Sequence, residues 1–199
     1  MRLNALLEGA GCVSPVPQDV EIKGISYDTR TIKPGEVYVA LRGYKTDGHR
    51  YVAQALQKGA AAVVCEEGPG LQVPDGRAAL AAMSANWFGH PGRELELVGV
   101  TGTNGKTTVT SLLWSLLRET LGTEVGLLGT NVNRVGRRAY PAQRTTPESY
   151  ETQQWLRRMA DEGCTHVVME VSSHALCLHR VDGLTFGVGA FTNLTQDHL

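Results

Sequence analysis

The sequence predicts an α/β fold in two halves, each built on a largely parallel sheet. Three observations predict it. Short apolar runs alternate with helix-period segments along all 199 residues, which is the pattern of strand–helix–strand units rather than of a bundle or a sandwich. Gly89, Pro91 and Gly92 interrupt that pattern near the middle and predict a boundary between residues 1–91 and 92–199. Just beyond it, the apolar run 95–100 enters a small-residue turn, Thr101-Gly102-Thr103-Asn104-Gly105. It leaves as a helical pattern with Leu112, Leu113, Leu116 and Leu117 expected on one buried face.

In the first half, Leu3, Leu6, Leu7 and Ala10 describe a short amphipathic helix stopped by Gly9 and Gly11. Residues 20–27 read as extended, with Gly24 at a bulge. Residues 26–30 are polar and turn-prone, and Lys33-Pro34-Gly35 has turn composition. A strand is expected over 36–41, a loop rich in hydrogen-bonding groups over 42–49, and a helix over 51–58 closed by Gly59. Short strands follow at 60–65 and 71–73, and Asp75 is placed to cap a helix through Ala78, Leu80, Met83 and Trp87.

In the second half, Gly122 ends the helix that follows the glycine-rich turn, and 125–128 reads as a strand. Residues 132–140, with Gly136 at their centre, predict a hairpin projecting from the sheet. Thr145 and Glu148 fit a capping box, with Pro147 in the first turn of a helix that carries Trp155, Leu156 and Met159 and stops at Gly163. A buried strand over 166–169 ends in Glu170, Ser172 or Ser173 caps a short helix to Leu178, and a last strand spans 186–192. The chain closes on the polar stretch Asn193-Leu194-Thr195-Gln196-Asp197-His198-Leu199.

Bulk composition narrows the function classes. Hydrophobic content of 42% and charged content of 20% describe an ordinary globular protein. A formal net charge of −1 offers no electrostatic reason to bind nucleic acid or an anionic membrane. No apolar run approaches the ~20 residues of a spanning helix. The N-terminus lacks the long apolar core of a signal peptide, so a cytoplasmic protein is expected, and as a monomer. Cys12, Cys65, Cys164 and Cys177 are widely spaced and read as reduced, mostly buried thiols rather than a zinc site or a disulfide frame.

The chemistry concentrates at the ends of the expected strands, where open α/β sheets bind ligands. Four polar clusters fall there: 101–108, Asn131, 170–174 and 193–198. In the first, Gly102 and Gly105 allow a tight turn whose N–H groups face an anion. The helix starting near Lys106 adds its unpaired N–H groups and roughly half a positive charge. Lys106 is long enough to reach terminal phosphates, and the Thr107 hydroxyl can join the shell of a phosphate-bound Mg²⁺. Glu170 follows Val167, Val168 and Met169, where a carboxylate could hold the same ion. The match to G-x-x-x-x-G-K-[ST] is partial, because its first glycine falls on Val100, and a glycine-rich turn with an exposed lysine stays open as the plain alternative. GTPase signals are missing: there is no Asn-Lys-x-Asp and no Asp-x-x-Gly. Gly187-Val188-Gly189 lies inside a strand and has Thr192 where a dinucleotide fingerprint needs glycine.

Five segments in order resemble the Mur ligases: Gly102-Thr103-Asn104-Gly105-Lys106-Thr107-Thr108, Thr145-Thr146-Pro147-Glu148, Met169-Glu170-Val171-Ser172-Ser173-His174-Ala175-Leu176, His179-Arg180, and residues 192–199. The resemblance is strongest to the branch that adds the third residue to UDP-N-acetylmuramoyl-L-alanyl-D-glutamate. It extends through the first half by Tyr27-Asp28-Thr29-Arg30, Pro34-Gly35-Glu36 and Thr46-Asp47-Gly48. It implies a three-domain ligase of which 1–91 is the UDP-substrate-binding domain and 92–199 the front part of a P-loop ATPase-type central domain, with the amino-acid-binding domain absent. It further implies that Tyr27, Thr29, Tyr44, Lys45 and Thr46 hold the uridine diphosphate end. Arg144, Thr145, Thr146, Ser172 and Arg180 would hold the muramoyl-dipeptide, although Arg144 stands where family members often carry Asn. Residues 102–108 would bind ATP. Thr107 and Glu170 would hold one Mg²⁺ and His198 a second, with Lys106, Glu170 and His198 as the catalytic set. The implied partners are the UDP-N-acetylmuramoyl-dipeptide, ATP and a free amino acid. The implied reaction runs through an acyl phosphate, and these 199 residues alone are expected to bind without turning over. Two other readings stay open: a folylpolyglutamate-type ligase, which shares the Gly-Thr-Asn-Gly-Lys core, and a non-catalytic module that binds a nucleotide or UDP-sugar.

Overall fold

Parallel pairing dominates both halves. The computed structural model describes residues 1–43 and 46–195, and the chain divides into two units, Met1–Trp87 and Phe88–Leu199. Among the described residues, no helix is long and apolar enough to cross a membrane. The four cysteines are free: Cys65 and Cys164 are buried, Cys12 is half-buried and Cys177 is exposed.

In the first unit, α1 (Leu3–Leu6) precedes four parallel strands in spatial order β1 (Gly24–Ser26), β2 (Glu36–Val39), β3 (Ala62–Cys65), β4 (Leu71–Gln72). Val37, Tyr38 and Val39 are all buried, as expected for a strand covered on both faces. α2 (Val52–Gln57) buries Val52 and Ala55 in a cluster with Tyr38, Val63 and Cys65. Asp75 caps α3 (Gly76–Trp87), its Oδ1 accepting from the N–H groups of Arg77 and Ala78 at 2.8 and 2.9 Å. The expected bulge at Gly24 is absent. Gly24 sits in regular register opposite Glu36, and a Cβ there would come within 2.9 Å of the Glu36 carboxylate, so this glycine answers close packing rather than a kink.

The second unit is a three-layer α/β/α sandwich. Its elements are β5 (Glu96–Thr101), α4 (Lys106–Leu121), β6 (Glu124–Leu128), β7 (Val132–Val135), β8 (Arg138–Pro141), α5 (Ser149–Asp161), β9 (Cys164–Glu170), α6 (Ser173–Cys177) and β10 (Val188–Phe191). The sheet order is β10-β5-β9-β6-β7-β8, with the first four strands parallel. Side chains alternate between its faces. Leu97, Val167 and Met169 meet Leu156 and Met159 of α5 on one side. Val100, Val125, Leu127 and Val168 meet Val109, Leu113, Trp114 and Leu117 of α4 on the other.

Three local expectations need correction. The core-facing stripe of α4 runs through the half-buried Val109, Leu113 and Leu117 at four-residue steps, with Trp114 beside it. Leu112 and Leu116 lie off that stripe and are 66% and 54% exposed. The hairpin does not project from the sheet: β7 pairs antiparallel with β6, so β7 and β8 extend it. The Thr145–Glu148 capping box does not form, because α5 begins at Ser149 with Glu148 at its N-cap. The two threonine hydroxyls have longer-range partners instead. The Thr145 and Thr130 hydroxyls are hydrogen-bonded to each other at 3.1 Å, and the Thr146 hydroxyl donates to the Glu170 carbonyl at 2.8 Å.

Candidate functional site

The carboxyl ends of β5, β6, β9 and β10 open onto one cleft of about 610 Å³. Register brings their end residues together: Val100 lies opposite Glu170, Thr101 opposite Phe191, and Leu128 opposite Met169. The turn after β5 therefore sits between the polar ends of β9 and β10, and residues 129–130 after β6 reach Glu170 from the other side.

Gly102 has φ +128°, and a Cβ there would collide with the Thr192 hydroxyl and come within 2.9 Å of the Asn193 carbonyl. Only glycine lets the segment after β10 press against this turn. α4 then begins with Gly105 at its N-cap, no side-chain cap and no acidic residue in its first turn. Its leading N–H groups are thus left for an anion, reinforced by the dipole of a helix that continues for 16 residues. The Lys106 ammonium donates to the carbonyls of Gly102 at 2.6 Å and Thr103 at 2.9 Å, which holds its charge over the mouth of the turn.

The segment 192–195 is bonded to the turn at many points. The N–H groups of Thr103 and Asn104 donate to the Asn193 carbonyl (2.9 Å) and side-chain Oδ1 (3.1 Å). The Thr192 hydroxyl and Asn193 amide both donate to the Asn104 carbonyl, and Thr103 and Thr195 exchange bonds at 3.1 and 3.0 Å. Two N–H groups of the turn are therefore spent on holding its shape, and those at the start of α4 remain for a ligand. Asn193→Ala removes two of these bonds, worth about 0.5–1.5 kcal/mol each, so chemical denaturation is expected to show a loss of about 1–3 kcal/mol.

Glu170 is 1% exposed yet fully engaged. Its carboxylate accepts from the Thr107 hydroxyl (3.0 Å), the Thr130 N–H (2.9 Å) and the Thr130 hydroxyl (3.0 Å). Gly129 permits this approach, since a Cβ there would meet Glu170 Oε1 at 2.7 Å. Behind it, the Thr146 hydroxyl bridges the Glu170 carbonyl and the Ser172 N–H, and Ser172 Oγ caps α6 by accepting from Ala175 N–H. Arg180 Nη1 donates to the Thr146 carbonyl at 3.2 Å, and Arg180 Nε pairs with the Glu148 carboxylate.

Gly102, Thr103, Asn104, Gly105, Lys106, Thr107, Thr145, Thr146, Glu170, Ser172 and Arg180 all line this cleft. Thr108 points off α4 as an exposed side chain, and Arg144 is exposed and paired with Glu148 at 3.5 Å; neither lines the cleft. Tyr44, Lys45 and His198 lie outside the described residues. The polar position after β6 that reaches the cleft is Thr130, not its neighbour Asn131, and only the β6–β9 pairing identifies it. Phe191 and Leu194 add an apolar wall that reading for polar motifs passes over.

In the first unit the expected residues follow the carboxyl ends of β1 and β2. Thr29 is buried, its hydroxyl donating to Gln54 at 2.9 Å and its carbonyl accepting from Lys58 at 2.6 Å, so its side chain shapes the turn. Arg30 embraces Asp28 and holds that carboxyl below its usual range. Thr46 is exposed, on a loop pinned by its carbonyl to Gly43 N–H. The buried Tyr38 hydroxyl donates to the Gly48 carbonyl, and burial pushes that phenol up to about 12. His49 Nε2 accepts from Glu66 N–H at 3.0 Å, so Nδ1 carries the proton toward Asp47 at 2.6 Å. That bond keeps the Asp47 carboxyl low.

Comparison with known proteins identifies this constellation. The sequence model of the Mur ligase middle domain matches residues 100–199, just over half of the chain, and one described as Mur ligase family, catalytic domain, matches residues 21–88. The chain belongs to the Mur ligase family. A UDP-N-acetylmuramoyl-L-alanyl-D-glutamate--2,6-diaminopimelate ligase of Caldanaerobacter subterraneus subsp. tengcongensis is 46% identical over 206 residues, covering 100% of this chain and 42% of that protein. A UDP-N-acetylmuramyl-tripeptide synthetase of Roseiflexus sp. is 46% identical over 195 residues, covering 92% of this chain and 38% of its own length. The solved structure of a UDP-N-acetylmuramoyl-L-alanyl-D-glutamate--2,6-diaminopimelate ligase superposes with a TM-score of 0.75 at 29% identity, over 89% of this chain and 37% of that one. This Mur ligase chain thus spans about two fifths of the length of the relatives it matches.

Proposed function

We propose that this chain carries the ATP-binding and UDP-substrate-binding parts of a ligase that adds the third amino acid to UDP-N-acetylmuramoyl-L-alanyl-D-glutamate. The observation that carries the reading is the single cleft in which the Lys106 turn, the Thr107–Glu170 pair and Arg180 converge. A relative named for that reaction, 46% identical along the whole chain, supports it.

In the reaction proposed, a substrate carboxylate attacks the γ-phosphate of ATP, giving an acyl phosphate and ADP. The amine of a free amino acid then attacks the acyl carbon, forming the amide and releasing phosphate. Two anions meet in the first step. Lys106, swinging from the loop carbonyls to the phosphates, and the first N–H groups of α4 offset their repulsion. Arg180 and the Ser172 end of α6 face the peptide side, where they orient the attacking carboxylate. Tyr27, Thr29 and the loop around Thr46 are assigned to the uridine diphosphate end.

Among the described residues, no three His, Cys, Asp or Glu side chains gather into a metal cage. The Thr107 hydroxyl and Glu170 carboxylate, 3.0 Å apart, instead offer two hard oxygen donors. That set fits Mg²⁺, which takes few protein ligands and completes its shell with water and substrate phosphates. When bound, Mg²⁺ would supply charge neutralisation at the phosphates. A second ion at His198, a cytoplasmic location and a monomeric state complete the proposal.

Calorimetric titration of ATP tests the reading. Binding that tightens at least tenfold when Mg²⁺ is added supports it; ATP binding indifferent to Mg²⁺, or none by a folded chain, contradicts it.

A further inference from the structure

We infer that Glu148 is a positioning residue that presents Arg180 to the carboxylate of the peptide substrate; this rests on the functional reading above. Glu148 is 6% exposed and sits at the N-cap of α5. A carboxylate beside a site for anions needs a reason, because its own charge would repel them. Its surroundings supply one. Glu148 Oε1 pairs with Arg180 Nε and with Arg144 Nη1, the latter at 3.5 Å, so one negative charge is matched by two guanidinium groups. The helix N-terminus offsets it further. Glu148 does not line the cleft, whereas Arg180 does.

Geometry divides the Arg180 guanidinium into two sides. The Nε side is in ion-pair contact with the Glu148 carboxylate without a formed hydrogen bond, and Nη1 donates to the Thr146 carbonyl at 3.2 Å, while Nη2 has no partner among the described residues. An ion pair beside Nε and a hydrogen bond from Nη1 constrain the plane of the guanidinium and leave Nη2 for a ligand. A free arginine would lose rotamer freedom on binding; one already clamped has lost it on folding, which strengthens binding through preorganisation. The ligand that suits Nη2 is an anionic oxygen, and in the functional reading above that oxygen belongs to the carboxylate of the peptide.

The test compares UDP-N-acetylmuramoyl-L-alanyl-D-glutamate, UDP and ATP as titrants of the 199-residue chain and its variants. Glu148→Gln keeps the side chain's size and removes its charge. It is expected to weaken binding of the dipeptide substrate about tenfold, with UDP and ATP affinities within twofold of the parent. Glu148→Asp, which keeps the charge at shorter reach, is expected to show a smaller loss and reads the same effect if the Gln variant fails to fold. Arg180→Ala combined with Glu148→Gln is expected to bind no more weakly than Arg180→Ala alone, because the two act through one contact. Equal losses for substrate and ATP, additive losses in the double variant, or unchanged substrate binding would each overturn the role of Glu148. If the parent chain shows no preference for the dipeptide substrate over UDP, the functional reading itself falls and takes this inference with it. A parent that prefers the substrate alongside an unaffected Glu148→Gln removes the inference alone.

Discussion

Lys106→Ala is expected to lower ATP affinity about 30- to 100-fold, since a charge-assisted contact of this kind contributes about 2–3 kcal/mol. The lysine has two possible sets of partners. In the structure it bonds the carbonyls of Gly102 and Thr103; in the proposed function its charge moves to the phosphates. The carbonyls it leaves line the cleft and can be solvated, so the variant should melt close to the parent temperature. Calorimetric titration alongside a thermal melt separates the two effects. An unchanged affinity would mean that Lys106 merely fastens the turn.

Glu170→Ala is expected to act on both stability and binding. Three donors converge on this carboxylate: the Thr107 hydroxyl and the N–H and hydroxyl of Thr130. Removing it strands them at a site that is nearly closed to solvent, at about 1–3 kcal/mol for a buried group left unpaired. Chemical denaturation should show a loss of about 3 kcal/mol, moderated where water enters the space left behind. In any folded fraction, ATP binding should lose its dependence on Mg²⁺. Glu170→Gln separates the contributions: it keeps an acceptor for one or two of the donors, so stability recovers in part, while the metal dependence stays lost. A Gln variant that still binds ATP more tightly with Mg²⁺ would remove Glu170 from the proposed metal site.

Much of the site was legible because its signals are local. Residues 95–121 announce strand, turn and helix through consecutive apolar, small and periodic stretches, and Glu170 stands out as a carboxylate directly after an apolar run. Features that depend on which strands are neighbours were not legible. Thr130 carries no local signal that sets it apart from Asn131, because only the pairing of β6 with β9 brings its N–H to Glu170. Asn193 and Thr195 belonged to a recognised polar cluster, but that they brace the Gly102–Gly105 turn follows only from β10 lying beside β5. Thr145 and Glu148 have the spacing of a capping box, yet long-range partners outcompete the local bonds: Thr130 for one and two arginines for the other. For α4, periodicity alone could not decide which of four leucines face inward; Trp114, whose indole donates to the Val125 carbonyl at 2.9 Å, sets the helix rotation and leaves Leu112 and Leu116 outside. Thr29 and Thr146 were expected as ligand contacts, and their side chains are committed to internal bonds.

The central claim is that one chain recognises both ends of a UDP-linked muramoyl-dipeptide. The most direct measurement is a calorimetric titration of these 199 residues with UDP-N-acetylmuramoyl-L-alanyl-D-glutamate against UDP alone. The account predicts that the dipeptide substrate binds at least tenfold more tightly, about 1.4 kcal/mol, and that Arg180→Ala abolishes the difference. Equal affinity for the two ligands, or no binding of either by a demonstrably folded chain, would contradict it.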